Sequence, residues 1–372
     1  MIVVIADDIS GAAELAGVAR GRGMSAEVHT VFDPDSTAEV VAVDTDTRSL
    51  PEGQAAGKTK GITEEIVACS RVSLIYKKTD SVLRGHVAAE CSAVADAAGR
   101  EEILLVPANP GKGRVIRDGR CFVDEVPLAQ TGFARDPEYP ARSSLVAELL
   151  FRESRVDGIR IEIPDVADVS TLRRQAELVT ENVLPAGAAE FFAALLERNP
   201  VSVESPLPIA APRSDLVLMV CGSQAGWAMG RGSQCLEHGV PVVPMPRRLF
   251  EDDFEEAELR QWAEEVHQAF VASAKVMIAI GGEKIEGMPP AKLVDRLARA
   301  VERVTKLVTI GTICLEGGST AAQVLQQLNW TRLRPGQALS FGLAPMEVIG
   351  PPAPLICIKP GSYPWPDEIW HL

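Results

Sequence analysis

The sequence is poor in histidine and in aromatic residues, and it has no paired cysteine motif and no long apolar run. Its five histidines show no ligand spacing. Its seven cysteines, at 69, 91, 121, 221, 235, 314 and 357, are scattered, with no C-x-x-C pair. An odd, dispersed set in a large chain reads as reduced thiols in a cytoplasmic protein and excludes a disulfide framework or a transition-metal site, so no metal ligand is assigned. The longest apolar stretches, LVLMVCG at 216–222 and VMIAIGG at 276–282, are strand-length and end in glycine, which excludes a membrane span. The opening MIVVIADD has no basic region and reaches two aspartates too early for a signal peptide. Basic residues are also in deficit: 37 against 51 acidic ones leave a net charge of −14. Nucleic acid and anionic membrane are therefore excluded as partners, and any anionic ligand must be held by a local pocket.

What is present is globular and α/β. With 372 residues and 46% hydrophobic content, the chain is long enough for two cores. Short β-branched runs (IVVIA at 2–6, EVHTVF at 27–32, VVAVDT at 40–45, SLIYKKT at 73–79, EILLVPA at 102–108) alternate with amphipathic stretches at 11–22, 51–69 and 85–98. This rhythm predicts mostly parallel sheets covered by helices. Residues 109–141, rich in Gly, Pro, Arg and Asp, form a long irregular excursion of the kind that is usually functional. Helices are expected at 145–160, 170–182 and 184–198, with IRIEIPD as a strand between the first two. NPVSVESPLPIAAPRSD at 199–215, with four prolines, reads as a linker. The alternation then restarts, with a helix at 225–238 and a last strand in PLICIKPG at 354–361. The expectation is two α/β domains, 1–205 and 206–372, with a cleft between them.

One apparent motif fails. GQAAGKT at 53–59 has three residues between its glycines where a phosphate-binding loop needs four, and no strand leads into it. The informative segments lie at strand ends, where a parallel sheet presents its ligand edge. IADDISGAAE at 5–14 carries Asp7, Asp8, Ser10 and Gly11; one carboxylate is explained as a helix cap, the second is not. VDTDTRSLP at 43–51 brings Asp44, Asp46 and Arg48. YKKTDSVLRGH at 76–86 brings Lys77, Lys78, Asp80, Ser81, Arg84 and Gly85, and PANPGKGRVIRDGR at 107–120 adds Lys112, Arg114 and Arg117. Arginine and lysine converging on one edge suit a carboxylate or phosphate. The second half instead has glycine turns after strands: CGSQAGW at 221–227, IGGEK at 280–284, LEGGSTAA at 315–322 and KPGSY at 359–363. Gly317, Gly318, Ser319 and Thr320 opening a helix offer backbone N–H groups to a phosphate.

Together these segments resemble the four-carbon acid sugar kinase family, nearly end to end. The most specific match is PANPGKGRVIRDGRCFVDEVPLAQTGFARDPEYP at 107–140. The resemblance implies an N-terminal acid-sugar domain and a C-terminal ATP domain, with phosphorylation of the terminal hydroxyl of threonate, erythronate or a 3-oxo-tetronate. It implies Asp7, Arg48, Lys78, Ser81 and Arg84 as sugar-pocket residues, and Asp8 or Asp80 as the group facing the acceptor hydroxyl. Ser223, Gly317, Gly318, Ser319, Thr320 and Gly361 fall on the nucleotide turns, and Mg²⁺ would bridge the ATP phosphates. Departures are concentrated in the nucleotide half: the family's second turn serine is Ala225, its turn glutamate is Ser319, and its last turn reads KPGSYP. In the first half the family's asparagine is His86. These changes keep open an acid-sugar-binding homologue with weak or lost kinase activity. A dehydrogenase is excluded, because no G-x-G-x-x-G follows the first strand. The oligomeric state stays open, a homodimer included.

Overall fold

The computed structural model describes all residues except 137–138, 151–158, 199–208, 210, 229, 283–287, 337–344, 360, 362–364 and 372. Most of the linker segment, the second half of the helix expected at 145–160, and Ser362 therefore lie outside the described residues. The chain divides into two compact units, Met1–Pro206 and Leu207–Leu372.

The N-terminal unit runs β1 (Ile2–Ala6), α1 (Ile9–Arg20), β2 (Ala26–His29), β3 (Val40–Asp44), α2 (Glu52–Val67), β4 (Leu74–Lys78), α3 (Val87–Ala97) and β5 (Glu102–Val106). It continues through β6 (Arg114–Arg117), β7 (Arg120–Val123), β8 (Val126–Pro127), α4 (Val146–Leu150), β9 (Arg160–Glu162), α5 (Val169–Glu177), β10 (Val183–Gly187) and α6 (Ala189–Glu197). Seven of these strands form a parallel array in the order β2-β3-β1-β4-β10-β5-β9. Val3, Val4, Ile5, Val40 and Val41 have no solvent exposure, as expected where helices cover both faces of a parallel sheet. The long excursion is ordered by the small antiparallel sheet β6-β7-β8.

The C-terminal unit contains β11 (Val217–Cys221), α7 (Gln224–Ala228), α8 (Arg231–Glu237), β12 (Val242–Pro244), α9 (Glu256–Ala272), β13 (Lys275–Ala279) and α10 (Pro290–Leu307). It ends with β14 (Thr312–Glu316), α11 (Gly318–Gln327), β15 (Arg332–Pro335), β16 (Pro345–Val348) and β17 (Leu355–Lys359). Its strands lie in the order β12-β13-β11-β14-β17-β16-β15, with only β16 antiparallel to its neighbours. In both units the first strand lies inside the sheet, so successive connections leave it in opposite directions. The ligand crevice of such a sheet opens at that reversal, beyond the strand carboxyl ends.

Two helix expectations need correction. The segment 184–198 starts as β10 and only then becomes α6. Pro185 and Gly187 are poor residues for a helix interior, and β10 fills the place between β4 and β5. The helix expected at 225–238 breaks into α7 and α8 at Gly230, whose φ of 82° stops a right-handed helix.

Candidate active site

The N-terminal site begins at the end of β1. Asp8 caps α1, its Oδ1 accepting the Gly11 N–H at 2.8 Å. Its Oδ2 meets Arg48 Nη1 at 2.7 Å. Asp7 takes the other edge of the same guanidinium, Oδ2 to Nε at 2.7 Å and Oδ1 to Nη2 at 2.8 Å. One arginine from the loop after β3 thus clamps both carboxylates. That loop is itself fixed, because the Thr47 and Arg48 N–H groups donate to the Asp7 carbonyl at 3.0 and 3.2 Å. Burial pushes the Asp7 carboxyl up, but Arg48, Lys77 and Lys78 outweigh it and hold it below the ordinary range. Gly85 closes over the pair: at φ 88°, an added Cβ would sit 3.0 Å from Asp7 Oδ2. Asp44, at the end of β3, stands apart. Burial, then Asp46, Asp8 and Asp7, push its carboxyl well above the ordinary range, against the one Asp46 N–H it accepts.

The end of β4 supplies the second group. Lys77 is buried against Glu90 at 2.7 Å and serves the interior. Lys78 reaches Glu14 of α1 at 3.3 Å, and Lys112 meets the same carboxylate at 2.7 Å. Asp80 organises the next turn, accepting the Val82 and Arg84 N–H groups at 3.1 and 3.2 Å and the Arg84 guanidinium at 2.8 Å. Burial raises its pKa, but Arg84, Arg48 and Lys78 drive it far below the ordinary range. Arg84 also meets Asp136 at 3.4 Å. Ser81 is half-buried in the same turn. The structure therefore brings Asp7, Asp8, Arg48, Lys78, Asp80 and Arg84 together. It also shows both arginines already facing carboxylates.

Beside this cluster lies a cavity of about 230 Å³, walled by Val82, Leu83, Leu150, Glu52, His86 and Tyr139. His86 Nε2 donates to the Leu50 carbonyl at 2.6 Å, and the Tyr139 hydroxyl donates to the Arg48 carbonyl. His86 and Tyr139 therefore brace the Arg48 loop from behind.

In the C-terminal unit, three turns converge beyond β11, β14 and β17. A Cβ on Gly222 would collide with Thr320 Oγ1, and one on Gly361 would lie 2.9 Å from Ser223 Oγ and 3.9 Å from the Gly317 Cα. Ser223 Oγ accepts the Gly226 N–H at 3.0 Å, and the Gly317 N–H donates to the Lys359 carbonyl at 2.8 Å. Gly317, at φ 96°, precedes α11, so Gly318, Ser319 and Thr320 form that helix's first turn. Beneath these turns is a buried triad centred on Glu316, with Arg231 Nε at 3.0 Å and Lys359 Nζ at 3.3 Å. Burial and the Arg231 charge bring the Lys359 ammonium down to about 8, against the opposing pull of Glu316. Sequence reading passed over Arg231, whose pairing with a residue 85 positions away has no local signal.

Two loci of chemistry are thus present: clamped carboxylates with lysines in one unit, and converging glycine turns at a helix start in the other. A family model described as the sugar-binding N-terminal domain matches residues 2–192. A D-threonate kinase of Cupriavidus necator is 27% identical over 99% of this chain and 96% of its own length. A 3-oxo-tetronate kinase of Methylobacterium radiotolerans is 24% identical over 96% of this chain and 95% of its own. The D-threonate kinase of Salmonella typhimurium is 33% identical, over 44% of this chain and 40% of its own length. Among solved structures, the Haemophilus influenzae protein HI1011 of the DUF1537 family superposes with a TM-score of 0.69 at 18% identity, covering 97% of each chain. The match across residues 2–192 spans more than half of the sequence, and the chain belongs to the family of the sugar-binding N-terminal domain, DUF1537.

Proposed function

We propose that the protein is an ATP-dependent kinase that phosphorylates the terminal hydroxyl of a four-carbon acid sugar of the threonate, erythronate or 3-oxo-tetronate type. The observation that carries this reading is similarity to kinases of such acids over nearly the whole chain, not over one domain alone. The N-terminal cluster supplies a chemical rationale. Phosphoryl transfer needs an aligned acceptor and neutralised charge more than covalent chemistry. Asp8 is the group assigned to the acceptor hydroxyl. Arg48 holds it in place through the 2.7 Å contact, and it accepts the proton as the oxygen attacks the γ-phosphorus and ADP leaves. Asp7 and Arg48 position it. Lys78 and Lys112, joined through Glu14, are the groups assigned to the substrate carboxylate. Asp80, saturated by the Arg84 turn, holds the loop that carries Ser81.

On the nucleotide side, Ser223, Gly317, Gly318, Ser319, Thr320 and Gly361 are the groups assigned to ATP. The support is steric at Gly222 and Gly361, where an added Cβ would press on Thr320 and Ser223, and the helix start offers backbone N–H groups. Among the described residues no cluster of three His, Cys, Asp or Glu could hold a metal ion. Mg²⁺ would arrive on the ATP phosphates and neutralise their charge.

The decisive experiment is ATP consumption across D-threonate, L-threonate, D-erythronate and their 3-oxo forms, with phosphorylated product identified by mass. Turnover with one of them supports the kinase. Stabilisation by an acid without turnover, with any nucleoside triphosphate, would give the binding-homologue reading instead.

A further inference from the structure

In the N-terminal unit six described side chains bury a polar atom with no protein hydrogen-bond partner: Ser10, Thr59, Thr79, Glu90, Asn109 and Gln175. Buried polar atoms are overwhelmingly paired, so each exception needs a reason. Thr59 and Gln175 lie within α2 and α5, and Glu90 is the partner of Lys77. The other three lie along one edge of the sheet. Ser10 follows β1, Thr79 follows β4 and Asn109 follows β5, all beyond the carboxyl ends of parallel strands.

Neighbouring contacts connect the three residues. Ser10 stands one helical turn before Glu14, on the same face of α1. Glu14 holds both Lys78 and Lys112. Lys78 Nζ donates to the Thr79 carbonyl at 3.0 Å, and the Lys112 N–H donates to the Asn109 carbonyl at 2.9 Å. The neighbouring Gly11 would place a Cβ 3.3 Å from Lys78 Cγ. Thr79 and Asn109 are only 2% and 3% exposed. The segment that follows Asn109 is a short strap, Pro110–Lys112 followed by Gly113 at φ 67°. It is fastened by Lys112 to Glu14 and by the Gly111 N–H to Glu190 at 2.9 Å.

We propose that Ser10, Thr79 and Asn109 form the hydroxyl-reading subsite of the acid-sugar site, next to the 110–113 strap, with Lys78 and Lys112 taking the substrate carboxylate beside them. The assignment rests on the acid-sugar reading above and deepens it. Its chemistry is specific. A serine or threonine hydroxyl both donates and accepts, whereas the Asn109 amide oxygen only accepts. The matching ligand groups are alcohols. The Lys78 and Lys112 ammonium groups suit a carboxylate on the same ligand.

An unpaired hydroxyl makes a distinctive prediction. Removing it costs the ligand-free fold nothing, while it weakens the ligand-bound state. Thr79→Val keeps the shape and deletes the hydroxyl; Ser10→Ala does the same on a separate element. The readouts are calorimetric affinity of the full chain for D-threonate and D-erythronate, affinity for ADP, and the ligand-free melting temperature. Each variant should lose about tenfold in acid affinity, keep its ADP affinity, and melt no lower than the unaltered protein. Discrimination against 3,4-dihydroxybutanoate, which lacks one hydroxyl, should shrink in at least one variant. Unchanged acid affinity in both variants, with the unaltered protein binding normally, would overturn the subsite alone. A lowered melting point in both, with no loss of discrimination, would make the hydroxyls structural and overturn it too. If the unaltered, folded protein binds neither acid, the acid-sugar reading falls and the subsite with it.

Discussion

The two units solve the same topological problem with opposite materials. Each places its first strand inside a parallel sheet and opens its edge where the connections reverse. In the N-terminal unit that edge is built of side chains: Asp7, Asp8, Arg48, Lys78, Asp80 and Arg84, cross-linked by charge. In the C-terminal unit it is built of backbone: Gly222, Gly317, Gly318 and Gly361, and the Glu316 triad lies underneath. The difference fits two kinds of ligand. A small, variably hydroxylated acid must be read atom by atom, which takes side chains. A phosphate chain needs close N–H donors and clearance, which glycine supplies.

The sharpest way to break this contrast is Asp8→Asn. If the carboxylate accepts the acceptor proton, turnover should fall about 10²–10⁴-fold, with acid and ADP affinities nearly unchanged. Steady-state kinetics with separately measured affinities decides it. Normal turnover would remove Asp8 from the chemistry and leave Asp80 as the candidate. Next comes Arg48→Ala, which strands two carboxylates, Asp7 almost fully buried. Losing one partner of such a cluster costs about 3–5 kcal/mol. Denaturant unfolding should show that loss, and part of it should be recovered by Asp7→Asn in the same chain. A loss below about 1 kcal/mol would mean the clamp is a surface contact in solution.

The C-terminal side is probed by Gly361→Val. Its Cβ would press on Ser223 Oγ and its further methyls on the Gly317 turn. Overpacking of this kind costs about 1–3 kcal/mol, or about five- to 150-fold in ADP affinity, with acid affinity preserved. Equal losses for both ligands would collapse the distinction between the two edges.

How much of this was legible in the sequence follows from the same contrast. The strands were plain, because IVVIA, VVAVD and VLMVC are too short, apolar and β-branched for anything but a buried parallel sheet. Strand β10 was not, because its five residues run straight into AEFFAALLE and read as one helix with it. The strand-end motifs were visible one by one. Their mutual wiring was not: Arg48 lies 41 positions from Asp7, and nothing local says whether it faces a ligand or a carboxylate. Glycine turns could be listed from sequence, but Glu316 looked like one more residue before a turn. Its burial with Arg231 and Lys359 is a tertiary fact. The orphaned hydroxyls of Ser10 and Thr79 are of the same kind, since an absent partner leaves no mark in a sequence.

The smallest expected effect concerns pH. A solvated lysine holds its proton to about 10.5, whereas Lys359 in the folded chain gives it up near 8. Below 8 both states carry the proton, and the fold bears the full penalty of a charge buried beside Arg231. Between 8 and 10.5 the unfolded chain binds more protons than the folded one, so this residue's contribution to stability rises with pH. Nucleotide binding should run the other way if the Lys359 ammonium helps hold phosphate beside Gly361, because the neutral amine has no charge to offer. Denaturant unfolding and ADP titration at pH 7, 8 and 9 separate the two slopes, and Lys359→Met should flatten both. A nucleotide affinity that stays level across the same window while the stability slope is present would assign Lys359 to the Glu316 triad alone. The C-terminal edge would then bind phosphate through backbone only, and the contrast with the charged edge of the other unit would be complete.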